Sequence, residues 1–298
     1  MVKGGVTMQP ISQVLRGIIM MCLASLSFTL NDTISKFLID DYHISVIIFI
    51  RSVVALPMLV IIAAVIGRTR IRWSRRMWLH ALRGGLNLTA AYLYITGLRY
   101  LSLAEATVIL FSSPLVVIAA SSIFFKEQVG WQKWAAACCS FCGVLVAIRP
   151  GAETFQAASL FILASSFLYA MNSLTARWLP HEDHLWTVSF YGAVFSALFV
   201  APVAIPNWNH VDSSDLLLFG GAALCSSLGI GLNSLAYRLA PASDLAPFAY
   251  SGLVWSMAVT WLVWGTIPEI WTFLGAGVIF SSSFFYFVSS KKKREQKV

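Results

Sequence analysis

The sequence predicts an all-α integral membrane protein: ten transmembrane helices arranged as two inverted five-helix repeats. Three observations carry that expectation. Of 298 residues, 58% are hydrophobic and 11% charged, far from the roughly one-quarter charged content of soluble domains. The apolar residues gather into ten runs, most of them near the ~20 residues that a helix needs to cross ~30 Å of hydrocarbon. Finally, the chain matches itself, since a shift of 139 residues sets Arg99 on Arg238, Glu105 on Asp244, Phe111 on Tyr250 and Ser112 on Ser251.

Taken in order, the predicted spans are 16–38, 44–66, 77–97, 103–125, 131–148, 155–179, 184–205, 215–237, 245–266 and 269–288. Spans one to three carry the in-membrane charges Asp32, Arg51 and Arg83. The fourth is interrupted at its centre by Pro114 and ends at the polar hinge Lys126, Glu127, Gln128, which the shift places over Gly265 and Thr266. Gly229 and Gly231 loosen the eighth; breaks of this kind free backbone groups to face a cavity, or mark packing kinks. The fifth and tenth offer small faces, Ala135 to Ser140 with Gly143, and Gly275, Gly277 and Ser281 to Ser283, fit for scaffold or dimer contacts. Trp73, Trp78, Trp131, Trp178, Trp186, Trp208 and Trp271 sit near span ends, as interfacial belts do.

The first halves of the repeats match at a shift of 141, which puts Asn31 on Asn172, Lys36 on Arg177 and Phe49 on Phe190. Five spans per repeat is an odd number, so the second copy enters the membrane upside down. The expected units are residues 16–149 and 155–288, flanked by cytoplasmic tails at 1–15 and 289–298. Placing both termini in the cytoplasm puts 16 of the 21 Lys and Arg on that side, as the positive-inside bias requires. A cleaved leader is not expected, because the first apolar run is long and carries Asn31 and Asp32.

Several function classes lose support. The net charge of +8 sits between apolar spans, where it orients the chain rather than binding nucleic acid. The five cysteines, Cys22, Cys138, Cys139, Cys142 and Cys225, lie inside apolar stretches and read as packing residues. His181, Glu182, Asp183 and His184 read as a solvated loop rather than a metal site. HExxH, GxSxG and GxxxxGK are missing, so neither hydrolysis nor direct ATP coupling has a motif. No metal and no cofactor is called for, and the chain is not read as an enzyme.

Asn31, Asp32 and Lys36 at the end of the first span, Arg51 in the second, the stretch from Glu105 to Pro114, and Phe125, Lys126, Glu127 followed by Gly143 and Arg149 together resemble the drug/metabolite transporter superfamily, specifically bacterial EamA-type carriers. Thr266 departs from the glutamate common there. The segments 30–36 and 130–150 look most like the branch holding riboflavin and S-adenosylmethionine importers. The resemblance implies a secondary carrier of the bacterial inner membrane, working by alternating access on a small organic metabolite. Riboflavin or a similar flat compound, moved inward, is the first expectation; export of amino acids or related metabolites is the alternative. A membrane enzyme or sensor is the reading from another class.

Intramembrane charges are costly and face cavities or one another. Asp32 and Arg51 lie about six and seven residues from the outer ends of their spans, hence at one depth at ~1.5 Å per residue. An ion pair between them is expected, with Lys36 competing at i+4 spacing. Arg83 either snorkels to the headgroups or faces the pathway; Asn31 and Asn172 are gate or hinge hydrogen-bonders or packing contacts. Mid-depth candidates for substrate contact are Phe28, Asn87, Tyr92, Phe111, Ser112, Pro114, Tyr169, Asn233, Tyr250 and Trp255, aromatic groups with a few polar ones. Expected partners are the bilayer and a small-molecule substrate. Protons are candidate coupling ions through Asp32, Glu105 or Asp244, and monomer and homodimer both stay open.

Overall fold

The computed structural model describes residues 11–65, 71–124, 130–150, 156–175, 178–180, 182–208, 211–212, 215–241, 245 and 248–295. Within them the regular structure is helical throughout, the arrangement in which a bilayer-embedded backbone satisfies its own polar groups. The helices are α1 (Ile11–Asp41), α2 (Ile44–Val65), α3 (Met77–Leu98), α4 (Leu103–Leu110), α5 (Ser113–Phe124), α6 (Trp131–Ile148), α7 (Ala158–Thr175), α8 (Leu185–Ala204), α9 (Asp215–Leu239), α10 (Ser251–Trp264) and α11 (Ile270–Glu295). Six helical runs among the described residues are long and apolar enough to cross a membrane. The fourth span is α4 followed by α5; the ninth is α10 with the helical residues just before it.

The broadest contacts join the two halves of the chain rather than neighbours in sequence: α1 on α9, α3 on α7, α2 on α8, then α2 on α9 and α3 on α8. Under the repeat α1 answers to α7, α2 to α8, α3 to α9 and α6 to α11. The contact of α1 with α9 is therefore the image of that of α7 with α3. The same relation joins α2 on α9 to α8 on α3, while α2 on α8 and α6 on α11 map onto themselves. Two upside-down copies related by an axis in the membrane plane produce this pattern.

Ten spans bring the start of α1 and the end of α11 to one side, here the tail face, and the α1–α2 turn to the other, the far face. The main apolar cluster fills the far side, from Leu38, Ile39 and Tyr42 through Ile47 and Ile48 to Leu98 and Leu103. Helix ends there are closed by cations. Lys36 Nζ donates to Leu98 O at 2.9 Å and to Leu101 O, and Arg99 donates to Ile39 O at 2.8 Å. Each cation satisfies a carbonyl left over in the last turn of the other's helix and favours its negative end.

Local signals explain the breaks. Ser102 and Glu105 form a capping box at the start of α4, Ser102 N–H donating to Glu105 Oε2 at 2.8 Å. α4 stops at Leu110 and α5 restarts at Ser113, which puts Pro114 in a first turn where its missing N–H costs nothing. The ninth span breaks at Tyr250, the repeat partner of Phe111, and the two rings stack with centroids 4.9 Å apart. α10 ends on Gly265 at φ 64°. Lys126, Glu127 and Asp244 lie outside the described residues. α9 passes through Gly229 and Gly231 without a break; Gly229 instead gives room to Phe28, whose ring would stand 2.7 Å from a Cβ there.

The small faces of α6 and α11 are used inside the chain. A Cβ on Gly143 would meet Gly275 O at 2.7 Å, and the Ser140 and Ser282 hydroxyls bond at 2.7 Å. Trp186 departs from the expected belt, being buried with Ile62 and Ala63. The loop at 182–184 is also more than a solvated connection, while His181 lies outside the described residues. Asp183 Oδ2 accepts from Ser74 at 2.6 Å and pairs with the fully buried His80 at 3.2 Å.

Candidate functional site

Two joined chambers occupy the middle and the tail side of the bundle. The central one, about 530 Å³, lies between α1, α2, α3, α4, α7, α9 and α10. The second, about 220 Å³, lies between α2, α3, α7, α8 and α9 and reaches Leu185 at the start of α8. Arg51, Asn87, Ser226 and Ile230 line both.

Asp32 is the acid of the central chamber. Its carboxylate accepts from the Tyr94 hydroxyl at 3.0 Å and from the Asn31 amide at 2.9 Å. Arg51 shares this chamber, and Tyr169 lies within electrostatic reach of both charges. The expected Asp32–Arg51 ion pair is not formed; among the described residues Arg149–Glu269 is an ion pair, and Asp183 stands 3.2 Å from His80 Nε2. The reason is packing, because α1 lies on α9 and barely touches α2, so equal depth did not bring the charges together. Nor does Lys36 reach Asp32, being committed to the end of α3.

Of the expected substrate contacts, Phe28, Asn87, Phe111 and Tyr169 line the central chamber, together with Asn31, Asp32 and Arg51. Arg83 and Asn172 line the tail-side chamber. Arg83 Nη1 donates to Asn172 O and, at 2.8 Å, to Thr175 Oγ1, closing the end of α7 rather than snorkelling away. The side chain of Pro114 lies outside what is described, and the other five expected contacts stand off the cavity. Tyr92 packs on the apolar core, Ser112 bonds to Ser166 at 2.6 Å, and Tyr250 backs the Phe111 ring. Trp255 Nε1 donates to Cys22 O at 3.2 Å, fastening α10 to α1. Asn233 is half-buried and outside both linings.

Helical spacing explains both hits and misses. On α1 the lining residues Ser25, Phe28, Thr29 and Asp32 follow i, i+3, i+4, i+7, and on α3 Asn87, Ala91, Tyr94 and Ile95 follow i, i+4, i+7, i+8. Extending the faces of Asp32 and Asn87 by period 3.6 would have found Thr29 and Tyr94, and would have excluded Tyr92, five residues from Asn87 and about 140° away. Ser226 gave no sequence signal, because which serine of α9 meets a cavity depends on how α9 lies against α1 and α2. Among the described residues no group of three His, Cys, Asp or Glu is placed to hold a metal.

Known proteins resemble this chain. An S-adenosylmethionine uptake transporter of Rickettsia conorii is 28% identical over 90% of this chain and 91% of its own. A riboflavin transporter of Vibrio cholerae is 26% identical over 90% and 91%, and the pseudopaline exporter CntI of Pseudomonas aeruginosa 23% over 88% and 93%. One crystal structure superposes with a TM-score of 0.63 at 16% identity, covering 91% of this chain and 96% of that one, a likeness of fold alone. The EamA-like transporter family matches twice, over residues 15–149 and 156–288, and so takes in nearly all of both halves. The chain is a multi-pass membrane transporter of the EamA-like family.

Proposed function

We propose that this transporter is a secondary carrier that brings a small, flat organic metabolite into the cell, with riboflavin the first compound to test. One observation carries the reading. The central chamber sets the rings of Phe28, Phe111 and Tyr169 beside a few polar groups, Asp32, Asn87 and Arg51, the mixture of apolar walls and sparse polar contacts that holds a drug-sized ligand. Its volume lies within the roughly 300–1,000 Å³ of such sites. The likeness to riboflavin and S-adenosylmethionine transporters supports a flat ring in the cargo, and the word uptake in the names of several relatives supports inward movement.

The test is uptake by cells unable to make riboflavin, expressing the chain or its Tyr169→Ala variant at matched membrane levels. Uptake at low external riboflavin, reduced at least about tenfold in the variant, is expected from loss of a stacking wall. A well-expressed protein that moves neither riboflavin nor S-adenosylmethionine would end the reading and direct the work to export assays with amino acids.

A further inference from the structure

The tail-side chamber differs in chemistry from the central one. Among the described residues its charged lining groups are Arg51 and Arg83, and no carboxylate is among them. Two half-buried positive charges on one chamber wall, with Asp32 near Arg51 only from the central chamber, are costly in a membrane protein and favour an anionic partner. Arg51 makes no hydrogen bond or ion pair to the described protein, and Arg83 uses Nη1 alone. Nε and Nη2 of Arg83 thus keep the planar donor fork that fits a carboxylate or phosphate.

Another lining group points the same way. Ser227 is 1% exposed and its hydroxyl, which can donate to an anion, has no partner among the described residues. An orphaned buried hydroxyl is costly unless something fills its bond, and Ser227 lines this chamber. At about 220 Å³ the space is below the roughly 300 Å³ lower bound of a drug-sized site, so it suits a terminal group rather than a whole ligand. Arg51 and Asn87 form walls of both chambers, so a ligand spanning the two would meet Asp32 in the central chamber, Arg51 at the junction and Arg83 in the tail-side chamber.

We infer that the tail-side chamber is an anion subsite, in which Arg51 and Arg83 receive a carboxylate or phosphate of the carried molecule while its flat ring lies in the central chamber. The inference rests on the carrier reading above. It narrows the cargo from flat metabolites in general to those with an anionic end.

Binding to the full-length protein in lipid nanodiscs tests it with two matched pairs of probes. S-adenosylmethionine against its decarboxylated form reads a carboxylate; flavin mononucleotide against riboflavin reads a phosphate. In at least one pair the wild type is expected to bind the anionic member about tenfold more tightly, in line with a charge-assisted hydrogen bond. That ratio should collapse to within about twofold in Arg83→Gln and largely persist in Arg83→Lys. Because Arg83 also closes the end of α7, Ser227→Asp serves as a second variant that leaves this contact alone, and there the ratio should invert. Ratios near one in both pairs for the wild type, or a ratio that survives both Arg83→Gln and Ser227→Asp, overturn the anion subsite while leaving the carrier standing. If none of the four probes binds, the flat-metabolite reading fails and takes the subsite with it.

Discussion

Among the described residues, Asp32 is the carboxylate that lines the central chamber. Of the three acids considered for coupling, Glu105 is tied into the Ser102 capping box and Asp244 lies outside the described residues, whereas Asp32 lines the central chamber. Asp32→Asn is expected to abolish stimulation of uptake by an inward proton gradient while leaving substrate exchange across proteoliposome membranes intact. Loss of exchange as well would assign Asp32 to substrate binding. Tyr42 offers a second residue-scale test, on stability. Its hydroxyl donates to Asp215 at 2.6 Å and accepts from Asp212 N–H at 3.2 Å. The bond to the Asp215 carboxylate and then burial push the phenol above its ordinary range. A raised folded value gives stability that is present below the unfolded pKa near 10 and lost only as pH rises past it. Tyr42→Phe should therefore cost about 1–2 kcal/mol by thermal melting, equally at pH 6 and pH 8. In-membrane charge made Asp32 and Arg51 legible in the sequence; their separation was not, because it depends on α1 choosing α9 over α2.

At the scale of elements, span positions and the broken fourth span were readable because hydropathy, a capping box and Pro114 are local signals. The stack of Phe111 on Tyr250 was half readable: the repeat paired the residues, and only the packing of α4 against α10 brought their rings together. The crossing of α6 and α11 was readable as a small-residue contact but not as one made within a single chain. There Gly143 and Gly275 allow the backbones to meet, and Ser140 and Ser282 add one hydrogen bond. Gly143→Leu has nowhere to place its side chain except by separating the helices, so a loss of about 3 kcal/mol or more is expected. Ser140→Ala with Ser282→Ala removes both ends of one bond and should cost under about 1 kcal/mol. Melting temperatures of the purified variants check the order; equal losses would mean that the hydrogen bond, not the close approach, holds the pair.

Across the whole molecule, the inverted repeat places related contacts at opposite ends. At the far face Tyr42 of the first repeat holds Asp215 of the second. At the tail face Asp183 of the second repeat holds Ser74 of the first. The 141-residue shift carries Tyr42 onto Asp183 and Ser74 onto Asp215, so the two contacts are images of each other. Their surroundings repeat as well, for Phe219, which the 139-residue shift sets on His80, lies edge-on to Tyr42 at 5.2 Å as His80 meets Asp183. A carrier that opens to one side at a time must separate its repeats at each end in turn, and these two contacts are among the polar ones that join them there, beside Arg149–Glu269 at the far face and Arg83–Asn172 on the tail side. Cysteine pairs at 42 and 215, and at 74 and 183, introduced after Cys22, Cys138, Cys139, Cys142 and Cys225 are replaced, allow each end to be fastened with a short thiol-specific cross-linker. Either link is expected to cut uptake at least about tenfold, because fastening one end holds the carrier in half of its cycle, and cleavage of the linker should restore it. Uptake that continues with an end fully cross-linked would show that the repeats part elsewhere and that the contact there is only structural.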